Sequence, residues 1–191
     1  MKRLAFLLAV LCAGCATTVV HAEPLPLPAV DFLVEGTLTR GGVETPMTMR
    51  HRNGRMRVDA TMDGAEATIH FDRAKRNAIV VMQRAGRTFA MEIDPTTVGG
   101  AVTAWEVEAT RLGADRIAGE ECVDYEFERT VGATLRACMT VDGVPLRTIE
   151  LSGERATWVA ARATRAAQHP SWFVVPADAV RMPTLPFAPR R

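Results

Sequence analysis

The chain has 191 residues, 23 of them basic and 22 acidic, for a formal charge of +1, and 48% of its residues are apolar. That balance excludes a nucleic-acid binder driven by phosphate neutralisation, which needs a marked excess of Lys and Arg. The length suits one domain with a real hydrophobic core.

Met1 to Ala22 has the three parts of an export signal: Lys2 and Arg3, an apolar run from Leu4 to Cys12, and a small-residue exit at Val20-His21-Ala22 before Glu23. The apolar run is too short to span a bilayer as a permanent helix. A competing exit at Cys12-Ala13-Gly14-Cys15 resembles a bacterial lipobox and would leave Cys15 lipidated, but Cys12 stands where that motif carries an aliphatic residue. Cleavage after Ala22 is therefore the reading taken. The expected location is the periplasm, the alternative being an outer-membrane lipoprotein tethered through Cys15. Cleavage after Ala22 removes Lys2 and Arg3 and leaves 21 basic against 22 acidic residues, a charge of −1.

Residues 23–31, with Pro24, Pro26 and Pro28, predict an extended polyproline-like lead-in. Phe32 to Thr39 alternates as a first strand and Gly41-Gly42 turns it. Asn53-Gly54 and Asp63-Gly64 are type I′ hairpin dipeptides. Turns there set Met47 opposite Ala60, Met49 opposite Val58, His51 opposite Met56, Arg50 opposite Arg57 and Arg52 opposite Arg55. The next strand then brings Val58 opposite Ile69, Met56 opposite Phe71 and Ala60 opposite Ala67. The middle strand uses one apolar face in both hairpins, a match that a one-residue slip would destroy. Strands follow at Ala78 to Met82 and Thr88 to Ile93 around Ala85-Gly86, with a seam at Pro95 to Gly100. Trp105 to Leu112, Cys122 to Glu128, Thr134 to Val141 and Leu146 to Leu151 read as further strands, the last two joined at Asp142-Gly143. Arg155 to Gln168 has helix-forming alanines and arginines, but Thr157-Trp158-Val159 tips it to a strand that continues the sheet. The fold class is therefore mainly β, a single domain over 32–182, with an unstructured Pro/Arg tail at 183–191.

Cys122 and Cys138 are the cysteines left after cleavage, and in an oxidising compartment they read as one disulfide. Direct pairing of their strands would set Asp124 opposite Arg136 and Tyr125 opposite Leu135, clipping a hairpin on its polar face. A redox pair would call for Cys-x-x-Cys near a βαβ pattern, which the residues left after cleavage lack.

His51, His70 and His169 lie in no triad, nucleophile-elbow or zinc pattern, so no catalytic residues are assigned and the chain reads as a non-enzyme without a cofactor. The inward set Met47, Met49, His51, Met56, Val58, Met62, Ile69 and Phe71 admits three readings: a packed core, a lipid-facing concavity, or a soft-metal site. Thioether and imidazole ligands select Cu(I), and Met47, Met49 and His51 alternate onto one strand face. Arg50, Arg52, Arg55 and Arg57 form a ladder on the opposite face. Arginine supplies 21 of the 23 basic residues, and Asp59 and Glu66 dilute the ladder, which reads as a solvated face.

The order of several short motifs resembles exported bacterial DUF4412-type domains, similar in turn to the lipoprotein carriers and acceptors LolA and LolB. They are the Met-rich meander, Phe71-Asp72-Arg73-Ala74-Lys75-Arg76 before Val80-Val81-Met82, Ile117-Ala118-Gly119-Glu120-Glu121-Cys122-Val123-Asp124-Tyr125, Asp142-Gly143-Val144-Pro145-Leu146, and Trp172-Phe173-Val174-Val175-Pro176. The resemblance implies a strongly curved antiparallel sheet, a half-open barrel whose concave apolar face holds acyl chains. On it rests the expected function: an apolar small molecule, lipid or acylated protein bound by Met49, His51, Met56, Val58, Ile69 and Phe71. The alternatives are the Cu(I) module and a structural or interaction domain with a filled core.

Overall fold

The computed structural model describes residues 22–62, 64–95, 106–129, 132–152 and 155–183. Thirteen strands form one sheet: β1 (Ala22–Pro24), β2 (Phe32–Arg40), β3 (Val43–Arg52), β4 (Arg55–Met62), β5 (Ala65–Asp72), β6 (Asn77–Arg84), β7 (Arg87–Ile93), β8 (Glu108–Ile117), β9 (Glu120–Glu128), β10 (Thr134–Met139), β11 (Pro145–Glu150), β12 (Thr157–Thr164) and β13 (Val180–Met182). Their spatial order is β1-β8-β9-β10-β11-β12-β2-β3-β4-β5-β6-β7-β13, so the sheet curves without closing and its two edges are taken by three-residue strands from either end of the described chain.

Turn chemistry and alternation explain the first half. Asn53 and Gly54 both have positive φ, 48° and 72°, the type I′ geometry that matches the strand twist. The predicted registers of β3 with β4 and of β4 with β5 are the observed ones; Asp63, in the second turn, lies outside the described residues. Two rows of side chains then run unbroken across six strands of the inner face: Val34, Met49, Val58, Ile69, Val80, Met91, and beside it Phe32, His51, Met56, Phe71, Ala78, Ile93. They pack with Leu146, Trp158 and Ala160 from the other half of the sheet into the main core. Burying one such side chain is worth about 1.5–3 kcal/mol, so these rows are the chief stabilising element.

In the second half, residues 155–168 carry the expected strand, Thr157–Thr164, which docks on β2. Two other elements depart from the sequence reading. The strand expected at Trp105 to Leu112 instead runs from Glu108 to Ile117, turning at Ala118-Gly119, and Trp105 lies outside the described residues. Cys122 and Cys138 are bonded, but the β9–β10 register is two residues from the expected one: Cys138 faces Asp124, Ala137 faces Tyr125, and Arg136 faces Glu126. Asp124 takes its partner from a third strand, Arg147 of β11, at 2.7 Å, and Arg147 also reaches Asp115 at 2.8 Å. The bridge does share its face with those charges, yet both cysteines are buried beneath them.

The proline-rich lead-in takes part in the fold. Ala22–Pro24 pairs with β8, and Leu25, 3% exposed, packs on Tyr125, Phe127, Leu135, Ala137 and Met139. Ala29 donates its amide to the Asp142 carbonyl at 3.0 Å, and the chain passes so close to Gly143 that a Cβ there would meet the Leu27 carbonyl. Proline's missing N–H suits a strap that needs few backbone partners.

Candidate functional site

The concave-face residues expected to hold a ligand are brought together and covered. Met49 is 0% exposed and Val58 6%; Met56, Phe71 and His51 are buried as well, and Ile69 and Met47 are partly buried against the same cluster. Leu146, Trp158 and Ala160 from the far half of the sheet belong to the same cluster, while Met82 and Met91 on this face stay partly exposed.

His51 is fully engaged. Gly54 donates its amide to Nε2 at 3.0 Å, so Nε2 is the acceptor, and Nδ1–H donates to the Val30 carbonyl at 2.7 Å. The ring stacks on Phe32 with centroids 5.4 Å apart. Burial holds the imidazole below its ordinary pKa, while the Val30 bond and Asp31 pull the other way. Met47, Met49 and His51 do share one face, but both His51 nitrogens are committed to backbone groups. Cys15 lies outside the described residues.

The outer face of the same strands carries a denser arrangement than a solvated ladder. Arg50, Arg57 and His70 lie side by side across β3, β4 and β5, with Asp59 and Thr68 in the adjacent row. Like charges directly opposite are unfavourable, so Arg50 against Arg57 needs an intervening anion. Asp59 supplies it: one oxygen lies 2.6 Å from Arg50, the other 2.7 Å from Arg57, and Thr68 donates to Asp59 at 2.8 Å. The C-terminal segment then covers the pair. The Trp172 ring sits 4.6 Å from the Arg50 guanidinium and 4.9 Å from that of Arg57, and Arg57 donates to the Trp172 carbonyl at 3.1 Å. Next to Arg57, His70 is pushed down to about 4, first by burial and then by the Arg57 charge, and its Nδ1 has no hydrogen-bond partner.

The root of this C-terminal segment is pinned at two points. Arg165 reaches Asp142 at 2.5 Å and Glu120 at 2.6 Å, and its hydrogen bond keeps the Asp142 carboxyl below the usual range. Gln168 is buried; its amide donates to Asp31 at 3.3 Å and its carbonyl accepts from Arg52. Beyond Gln168 come a 3-10 turn, Pro170–Phe173, then Val175 and Ala179 against Ile79, Val81 and Ala90, and finally β13 beside β7. Trp172 is the residue a reading by motif passes over as a partner of the ladder. The facing pair Arg50 and Arg57 was its signal.

No family model matches the sequence, and no curated protein matches it. Solved structures do. An uncharacterized conserved protein from Thermus thermophilus superposes with a TM-score of 0.56 at 12% identity, over 81% of this chain and 91% of that one. MucB superposes with a TM-score of 0.51 at 15% identity, over 79% of this chain and 60% of MucB. A LolA superfamily protein from Nitrosomonas europaea lies further off, with a TM-score of 0.47 at 12% identity over 79% of this chain and 93% of that one. At these identities the likeness concerns the fold alone, a curved and unclosed sheet. Nothing ties the chain to DUF4412-type domains in particular. Among the described residues no helix is long and apolar enough to cross a membrane.

Proposed function

We propose that this chain is a non-enzymatic exported binding domain that meets a protein partner with its outer surface, its interior being filled. The observation that carries this reading is the burial of Val34, Met49 and Val58, all at 6% exposure or less, in the row where a carrier would place an acyl chain. A ligand of that size would have to displace packed side chains, and protein interiors offer little slack. The buried Cys122–Cys138 bond suits an oxidising compartment and supports a periplasmic location. The fold shared with MucB is compatible with either reading and decides neither.

Titration of delipidated, folded protein with a fluorescent fatty acid tests the proposal. The expected result is no saturable uptake. Uptake near one equivalent would overturn it and restore the concave face as a ligand site, with Met49, His51, Met56, Val58, Ile69 and Phe71 as its lining.

A further inference from the structure

Both edges of the sheet are capped by the chain itself, but the two caps are held very differently. At one edge β1 leads into Leu25, which is buried among aromatic and aliphatic side chains. At the other, β13 is the one parallel partner among the described strands, and it covers only Phe89, Ala90 and Met91 of β7. Its approach is largely solvent-exposed: Trp172 is 42% exposed, Val174 61% and Val180 48%. Between a root pinned at Gln168 and this short pairing, the segment is held by Trp172 on two guanidiniums, by the buried Phe173, and by Val175 and Ala179 on a small apolar patch. Elements with few buried contacts open at low free energy, well below global unfolding.

Removing that segment would uncover a recognisable binding surface. It combines an edge strand with free backbone donors and acceptors, an apolar patch of Ile79, Val81 and Ala90, and a platform of Arg50 and Arg57 suited to an aromatic ring. Asp59 already takes both guanidiniums, so the platform favours an aromatic side chain over an acidic one. Resting on the reading that the domain works through its outer surface, we propose that residues 169–182 are a detachable occupant of this groove in cis. The partner it stands in for is a protein with an extended segment, an aromatic residue followed about eight positions later by a short apolar strand that adds to β7, the spacing of Trp172 and Val180. The cis segment competes at a high effective concentration, so a partner binds strongly only once the segment is loosened.

The test uses the full chain, its Trp172→Ala variant, and a labelled peptide with the sequence of residues 168–183. The variant should bind the peptide about ten-fold or more tighter than the intact chain does, since its cis competitor has lost its anchor. A peptide with alanine in place of its tryptophan should not bind. Equal binding by both proteins, or none by a folded variant, overturns the proposal. Hydrogen exchange on the intact chain gives an independent reading: amides of Val180–Met182 and of Ala90, the β7 amide that points to β13, should exchange far faster than those of Met56 and Val58, and equal protection overturns it. Peptide binding together with fatty-acid uptake would sink the filled-interior reading alone. Absence of both would sink the detachable segment alone.

Discussion

The two faces of β3, β4 and β5 are built from alternate residues of the same strands and end in opposite conditions. Inward, Met49, Val58 and Val34 are buried against one another and the far half of the sheet, with Ile69 and Met91 of the same row partly exposed. Outward, Arg50, Arg57 and Asp59 stay about one-fifth to one-quarter exposed and hold a piece of the C-terminal chain through a tryptophan that is itself half in solvent. Apolar pattern alone thus marks where a domain is held together. The place where it can exchange partners is where charge, aromatic surface and an open strand edge coincide.

The inner face should be the less forgiving. Val58→Glu puts an unpaired carboxylate into a packed row and should cost on the order of 4 kcal/mol or more, enough to abolish the cooperative transition seen by chemical denaturation. A variant that stays folded and cooperative would mean that the row is open. Replacing both Cys122 and Cys138 by Ser removes a crosslink of separation 16 and should lower stability by about 3 kcal/mol in the chain-entropy model, read as a lower melting temperature. Intact-mass analysis without reductant should show the bridged form.

Acid should act on the outer face first. His70 has a folded pKa of about 4 against 6.5 unfolded, so the unfolded chain takes up the proton first as pH falls. Stability is full above pH 6.5 and declines between 6.5 and 4, by on the order of 3 kcal/mol, with His51 adding in the same direction. Denaturation midpoints across that window check it. His70→Phe should flatten the profile, and an unchanged slope would show that His70 is not the group responsible. The smallest expected effect sharpens the inner face. Thr148 and Trp158 face each other across β11 and β12, and neither Thr148 Oγ1 nor Trp158 Nε1 has a hydrogen-bond partner. Thr148→Val should therefore stabilise the domain by about 1 kcal/mol, and a loss of stability would mean that the hydroxyl is satisfied.

Much of the first half was legible because Asn53-Gly54 is a turn type that sets register, and register with period two assigns every side chain to a face. The β9–β10 hairpin had no such marker. Its connection, 129–133, contains no two-residue turn dipeptide, so charge matching of Asp124 with Arg136 was the guide, and it misled by two residues because Asp124 answers to Arg147 on a strand outside the hairpin. The cysteine pairing survived that error because only two cysteines remained to pair.

By itself the sequence determined the alternation, the turns, the mainly β class and the disulfide partners, all of which depend on neighbours along the chain or on a count. Tertiary structure alone decided that Met49 and Met56 are buried, that the proline-rich lead-in packs on β8–β11, and that Trp172 sits on Arg50 and Arg57. Each of these joins segments far apart in sequence, up to 122 positions between Arg50 and Trp172. Contacts of that kind depend on how strongly the sheet curves and on which surfaces the curvature brings together, and no local pattern of residues encodes that distance.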